Sequence, residues 1–368
     1  MGRCRRLRRA TLAAGLAGLL AGCAGVLIGH PTPVPGRGPL GTPQPTATQI
    51  AVGAKPSPSA PRMNPFVAQL KPPGGRGAVN PYAWLENVRS PRTRHWIAAE
   101  NRATKEALAG IPQRGWIRTR LAQLQGGGAP EVANDVVVEH ILYLGPDGTR
   151  LPMEIAYRRD LARDGNQPTL LTVFHRTAKP PEPLLQPFVW VWAEMGGVYA
   201  RAEVRNGLAK VAAPPGAAKV PDRSIALSDL FAAAQSLIDD HYTRRARLGI
   251  YGRGFGGLMA GTAVALRPEF FGAALPTGAW AQYRQITSGN CFPPTLIATG
   301  EHDGDIRPWR GYELGAVLQA EQLCHHPILV RVDEGEGPEP AAVRLDRAAD
   351  ELAFAAKWLG AKVPREAP

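Results

Sequence analysis

The sequence predicts an α/β protein, a mostly parallel, doubly wound sheet with an N-terminal helical extension. Three observations predict it. A β-rich hairpin opens the main ordered part; apolar runs of strand length then alternate with stretches of helical period to the end of the chain; and a glycine-dense turn joins one late strand to the helix that follows it.

The elements follow in order. Order begins near Asn80, and Ser90-Pro91 supplies a capping hydroxyl and a first-turn proline for a helix carrying Trp96, Ile97, Ala99, Ala103, Ala107 and Leu108 at helical spacing. A second, short helix covers Trp116 to Leu124. The period then changes to two: Val136 to Leu144 and Leu151 to Tyr157 flank Pro146-Asp147-Gly148, a hairpin signal. Strands are expected at Thr169 to Phe174, Val198 to Val204, Arg247 to Tyr251, Gly272 to Leu275, Pro294 to Thr299 and Ile328 to Val332. Helical patterns lie between and after them, at Leu184 to Met195, Ser224 to Asp240, Phe255 to Leu266, Trp309 to Gln322 and Ala341 to Leu359. The count and order suit an α/β-hydrolase fold. No internal repeat interrupts them.

The 368 residues carry a formal net charge of +12, which on its face suggests a nucleic-acid or acidic-membrane partner. Arg3, Arg5, Arg6, Arg8 and Arg9 sit directly ahead of an uncharged stretch from Ala10 to Gly29, the pattern of an export signal. Leu20-Ala21-Gly22-Cys23 resembles the lipobox of bacterial lipoproteins, so residues 1–22 are expected to leave as a signal peptide and the Cys23 thiol to take lipid. The alternative is an uncleaved transmembrane anchor. Either way the protein is expected in the bacterial cell envelope, facing the periplasm, with the lipid membrane as a partner. Ala24 after Cys23, where many inner-membrane lipoproteins have Asp, favours the outer membrane. Of the 43 Lys and Arg, five leave with residues 1–22, which leaves 38 against 31 acidic side chains and a net charge of +7. With no basic run interleaved with aromatics, no nucleic-acid partner is expected. Residues 23–79, rich in Pro and Gly, read as a disordered tether. A helical segment at 80–128 and a hydrolase-like domain at 129–363 complete the organisation.

Two readings compete for Gly252-Arg253-Gly254-Phe255-Gly256-Gly257. Gly252, Gly254 and Gly257 fit the dinucleotide fingerprint G-x-G-x-x-G, but that motif needs an acidic residue at the end of the next strand, where Leu275-Pro276-Thr277 stands, and it belongs early in the chain. The other reading is the nucleophile elbow G-x-S-x-G, a strained turn that lifts a serine above the sheet. Gly254 occupies the serine position.

Asn80-Pro81-Tyr82-Ala83-Trp84-Leu85-Glu86 resembles the D-P-Y-x-W-L-E opening of prolyl oligopeptidases, serine peptidases that cut short peptides after proline. Pro168-Thr169-Leu170-Leu171, Gly196-Gly197-Val198-Tyr199-Ala200, Arg267-Pro268-Glu269-Phe270-Phe271-Gly272-Ala273 and Pro294-Thr295-Leu296-Ile297-Ala298-Thr299-Gly300 are similar to that family's catalytic domain, in order. The resemblance spans nearly all of Asn80 to Leu359. It places the nucleophile at Gly254 and the residue after it at Phe255. It places the triad acid at Asp303, within Glu301-His302-Asp303-Gly304-Asp305, the substrate-binding arginine at Asp305, and the triad histidine at Glu336, within Gly335-Glu336-Gly337. The oxyanion tyrosine falls near Phe174, before His175. The family's β-propeller has no room in the short link from Leu124 to Val136.

Acyl transfer needs a hydroxyl that becomes an alkoxide, a base for its proton and donors for the oxyanion. With Gly254 and Glu336 at two of these places, the expectation is a non-catalytic homologue that binds a peptide or protein ligand, with Phe174, His175, Arg253, Phe255 and Asp305 around the pocket. The enzyme alternatives are a family hydrolase working through a displaced serine such as Ser288, or an Asp303–Glu336 carboxyl pair. Those two carboxylates are otherwise expected to be solvated or paired with Arg253 or Arg307. His175, His302, Asp303 and Asp305 have no metal-ligand spacing, and neither metal nor cofactor is expected. Trp190 and Trp192 read as packing and His325-His326 as an exposed turn. Cys291 and Cys324 enter adjacent strands from the same end, so a disulfide is expected between them.

Overall fold

On the central strands, neighbouring side chains are buried in different cores. In β3 (Thr169–Phe174), Leu170 and Leu171 are both fully buried but belong to separate apolar clusters. Ile250 and Tyr251 of β5 (Leu248–Arg253), Leu296 and Ile297 of β7 (Thr295–Gly300), and Leu329 and Val330 of β8 (Ile328–Asp333) repeat the pattern. Strands buried on both faces need helices on both sides of the sheet. The computed structural model describes residues 80–125, 134–175, 184, 186–205, 224–278, 289–301, 307–335 and 339–364. The expected signal, lipidation site at Cys23 and tether lie outside them.

The sheet has eight strands in the order β1-β2-β4-β3-β5-β6-β7-β8, where β1 is Val136–Leu144, β2 Arg150–Arg158, β4 Val198–Glu203 and β6 Ala273–Thr277. The β1–β2 and β2–β4 ladders are antiparallel and the rest parallel, which makes the α/β-hydrolase fold expected from the alternation. Helices α4 (Ser224–Asp239), α5 (Phe255–Leu266) and α6 (Trp309–Glu321) build one core; α2 (Gln113–Gln125), α3 (Pro187–Glu194) and α7 (Ala341–Leu359) build the other. Helix α3 starts at Pro187, later than the expected Leu184, because proline takes a first-turn position where its missing N–H costs nothing. The indole of Trp192 donates to the Val198 carbonyl at 2.9 Å in the core.

Helix α1 (Pro91–Ala109), capped by the Ser90 hydroxyl on the Thr93 N–H, runs across the outer edge of β8. Trp96 and Ile97 join the first core and Leu108 the second. Its polar side chains do what a ninth strand would. The Asn101 amide donates to the Val332 carbonyl at 2.9 Å and accepts from the Val332 N–H at 2.8 Å. The Thr104 hydroxyl donates to the Val330 carbonyl at 2.8 Å, and Gln319 of α6 donates to the Ile328 carbonyl at 3.0 Å. At the amino end of this side, Cys291 and Cys324 form the expected disulfide, with Cα atoms 5.0 Å apart. His325 and His326 are exposed beside it. No helix among the described residues is long and apolar enough to cross a membrane.

Candidate functional site

The turn after β5 is built by three glycines with different reasons to be glycine. A Cβ on Gly252 would lie 2.3 Å from the Gly256 carbonyl carbon, and one on Gly257 would lie 2.1 Å from the Thr277 carbonyl oxygen, so strand and helix approach too closely for any side chain. Gly254 is the opposite case. It sits at φ 54°, ψ −118°, a conformation that strains other residues, yet among the described residues nothing beyond its chain neighbours lies within 4 Å of the place where its Cβ would be. A sharp strand-to-helix turn with open space over its apex is the nucleophile-elbow geometry. Here the apex carries no side chain, and as the N-cap of α5 it offers no capping hydrogen bond.

A cavity of about 240 Å³ opens beside this apex, lined by Arg253, Gly254, Thr277, Gly278, Gly300, Glu339 and Arg347. Arg253, the only exposed residue of β5, donates through Nε to the Tyr251 hydroxyl at 3.2 Å and through Nη2 to Glu351 at 3.4 Å. Glu351, fully buried on α7, also accepts from the Thr277 hydroxyl at 2.6 Å. Tyr251 and Glu351 hold the Arg253 guanidinium above its ordinary value, while burial pushes the Tyr251 phenol up to about 12. Across the cavity, Arg347 grips Glu339 with both terminal nitrogens and reaches Asp333 at 3.1 Å. Asp333 binds Arg331, which binds Asp350, which binds Arg114 of α2. Burial pushes the Asp350 carboxyl up even against these two guanidiniums.

Of the residues expected around the pocket, Phe174 ends β3, and the His175 ring meets the Phe255 ring edge-on at 4.5 Å behind the turn. Arg201 lies over the Phe174 ring at 5.5 Å. Asp303, Asp305, Glu336, His302 and Ser288 lie outside the described residues, so of the four metal-ligand candidates only His175 is placed. No group of three or more His, Cys, Asp or Glu among the described residues could hold a metal ion. Arg253 has a carboxylate partner in Glu351 among the described residues; Asp303 and Glu336, expected as solvated or as partners of Arg253 or Arg307, lie outside them. Glu351, Arg347, Glu339 and Thr277 were not anticipated as site residues. The available signal was charge on the apolar stripe of α7, where Arg347, Asp350 and Glu351 stand among buried Ala and Leu.

Comparison with known proteins agrees with this geometry. Residues 188–291 match the prolyl oligopeptidase family model, and residues 59–170 match the model for the prolyl oligopeptidase N-terminal β-propeller domain. In this structure the described residues of that second stretch form α1, α2 and the strands β1 and β2, with the start of β3. A prolyl endopeptidase of Elizabethkingia meningoseptica is 28% identical over 265 residues, a match covering 61% of this chain and 37% of the relative. An uncharacterized peptidase of Rickettsia prowazekii is 32% identical over 150 residues, covering 40% of this chain and 21% of the relative. The chain thus spans well under half the length of these relatives. Among solved structures, one from a study of two prolyl endopeptidases matches with a TM-score of 0.55 at 24% identity, covering 64% of this chain and 40% of that one. Oligopeptidase B from Leishmania major matches with a TM-score of 0.54 at 21% identity, covering 62% and 37%. With an elbow at the carboxyl edge of a mostly parallel sheet, and family matches on either side of β3, the chain belongs to the prolyl oligopeptidase family.

Proposed function

We propose that this chain is a peptidase-family domain that binds a peptide-like ligand at the carboxyl edge of its sheet without serine acyl transfer. Gly254 at the apex of the elbow carries the reading. The turn keeps its strained backbone and its open space, but no hydroxyl stands there to attack a carbonyl. Loss of a nucleophile costs on the order of 10⁶ in turnover, leaving binding and oxyanion effects. The cavity at the elbow lies where open α/β sheets bind ligands. Lipidation at Cys23 and a periplasmic tether belong to the same proposal on the N-terminal sequence alone.

Labelling the full chain with a serine-reactive fluorophosphonate tests it. No stoichiometric labelling is expected; stoichiometric labelling overturns the proposal. Gly254→Ser should fold, because its Cβ meets nothing, at a cost of about 1–3 kcal/mol for the backbone conformation.

The second reading is a working serine-type peptidase or hydrolase of the family, and the likeness itself favours it, since the relatives are named endopeptidases and peptidases. It would need a nucleophile from elsewhere, such as Ser288, or a carboxyl pair of Asp303 and Glu336. Turnover of a proline-containing peptide that disappears in Glu336→Gln but not in Gly254→Ala would favour the carboxyl pair.

A further inference from the structure

We infer that the elbow cavity holds a carboxylate group of its ligand, gripped by Arg253 at the mouth and by the first turn of α5. The inference rests on the reading of the elbow as a binding site and names the chemistry that site recognises.

The hydrogen-bond inventory of the cavity walls carries it. Every described carboxylate there already accepts from a strong donor: Glu351 from Thr277 and Arg253, Glu339 from Arg347, and Asp333 from Arg331 and Arg347. The unspent groups are donors. Nη1 of Arg253 has no partner among the described residues, although Nε and Nη2 are fixed by Tyr251 and Glu351, and the side chain is 41% exposed. Nε of Arg347 is buried without an acceptor among the described residues, in a residue only 7% exposed that lines the cavity. The twelve-residue helix α5 follows its N-cap Gly254 with no side-chain cap, and Gly254 lines the same space, so the positive end of the helix dipole lies at its border. Buried donors without acceptors are rare in native proteins and point to a missing partner. An acceptor that carries negative charge and two oxygens suits a guanidinium with a free edge and an open helix end. Gly254 makes room for it: the space over the apex, empty of any Cβ, admits a ligand group directly onto the α5 N-terminus.

The carboxylate could be a peptide C-terminus or an acidic side chain, and titration calorimetry on the full chain separates them. The probes are N-acetyl-tetra-alanine with a free C-terminus, its C-terminal amide, and the same amide with Asp in the last position. A charge-assisted hydrogen bond to Arg253 should make one carboxylate form bind at least about tenfold tighter than the plain amide. The free acid winning identifies the C-terminus, and the Asp amide winning identifies a side chain. In Arg253→Gln the preference should vanish. That variant leaves buried Glu351 with Thr277 alone, so Arg253→Gln/Glu351→Gln, which removes the orphaned charge, repeats the test in a background that keeps its fold. Equal affinities for all three probes, no binding of either carboxylate up to about 10 mM, or an undiminished preference in both variants overturns the inference. Fluorophosphonate labelling bears instead on the absence of acyl transfer, so the two can fail separately.

Discussion

The two edges of the sheet are finished in opposite ways. At β8 the outer backbone is occupied by Asn101, Thr104 and Gln319, a disulfide ties its amino end to β7, and the Arg331 and Arg347 guanidiniums bind its last carboxylate. At β1 no described side chain bonds to the outer backbone, and Leu142 and Leu144 stand 61% and 62% exposed. Unpaired strand edges invite association with other chains, and proteins manage them by covering or by charge. Here one edge is covered by helix α1 and the other is left to a hairpin. The N-terminal segment, which reads in the sequence as an extension, is therefore part of what makes the sheet end at β8.

Breaking the covered edge should cost far more than altering the open one. Arg331→Met takes one of two guanidinium partners from each of Asp333 and Asp350, both nine-tenths buried and left with Arg347 and Arg114 alone, and should lower unfolding free energy by about 3–5 kcal/mol in urea denaturation. Cys324→Ala opens a loop closed across 33 residues of sequence separation and should cost about 3–4 kcal/mol; a wild-type chain under reducing conditions should match it. Alkaline pH probes the same side. Burial, with Glu321 nearby, raises the Tyr82 phenol from 10.0 to about 12, so its stabilising contribution is complete below pH 10 and lost as pH rises toward about 12. Because the described tyrosines are all buried, tyrosinate absorbance should stay low until this window and appear together with unfolding. Asn101→Ala leaves the Val332 N–H and carbonyl without their partner and should cost about 2 kcal/mol. The smallest effect belongs to β1: Leu142→Ser with Leu144→Ser should change stability by no more than about 0.5 kcal/mol. A loss above 2 kcal/mol there would mean that the β1 edge is covered in solution.

The backbone plan was legible because its signals are local. Apolar runs, helical period and first-turn prolines placed the elements to within a few residues, and the glycine frame Gly252–Gly257 marked the elbow. Cys291 and Cys324 followed from topology, since both enter neighbouring strands at the same end. The walls of the cavity were hidden for the converse reason. Arg253 meets Glu351 across 98 positions of sequence, and Thr277 meets the same carboxylate across 74. Period alone assigns Glu351 to a helix; only packing turns that helix so that its carboxylate lies beneath the elbow. Asn101 is a similar case. Nothing in a mid-helix asparagine says that it will take the place of a strand.

That asparagine gives the chain a built-in reporter. An edge-strand amide ordinarily trades its proton with solvent whenever the edge frays, but the Val332 N–H is held by a side chain of α1. Its exchange with deuterium must wait for α1 to lift away, so the protection of that single amide reads out the free energy of detaching the N-terminal helix from the rest of the domain.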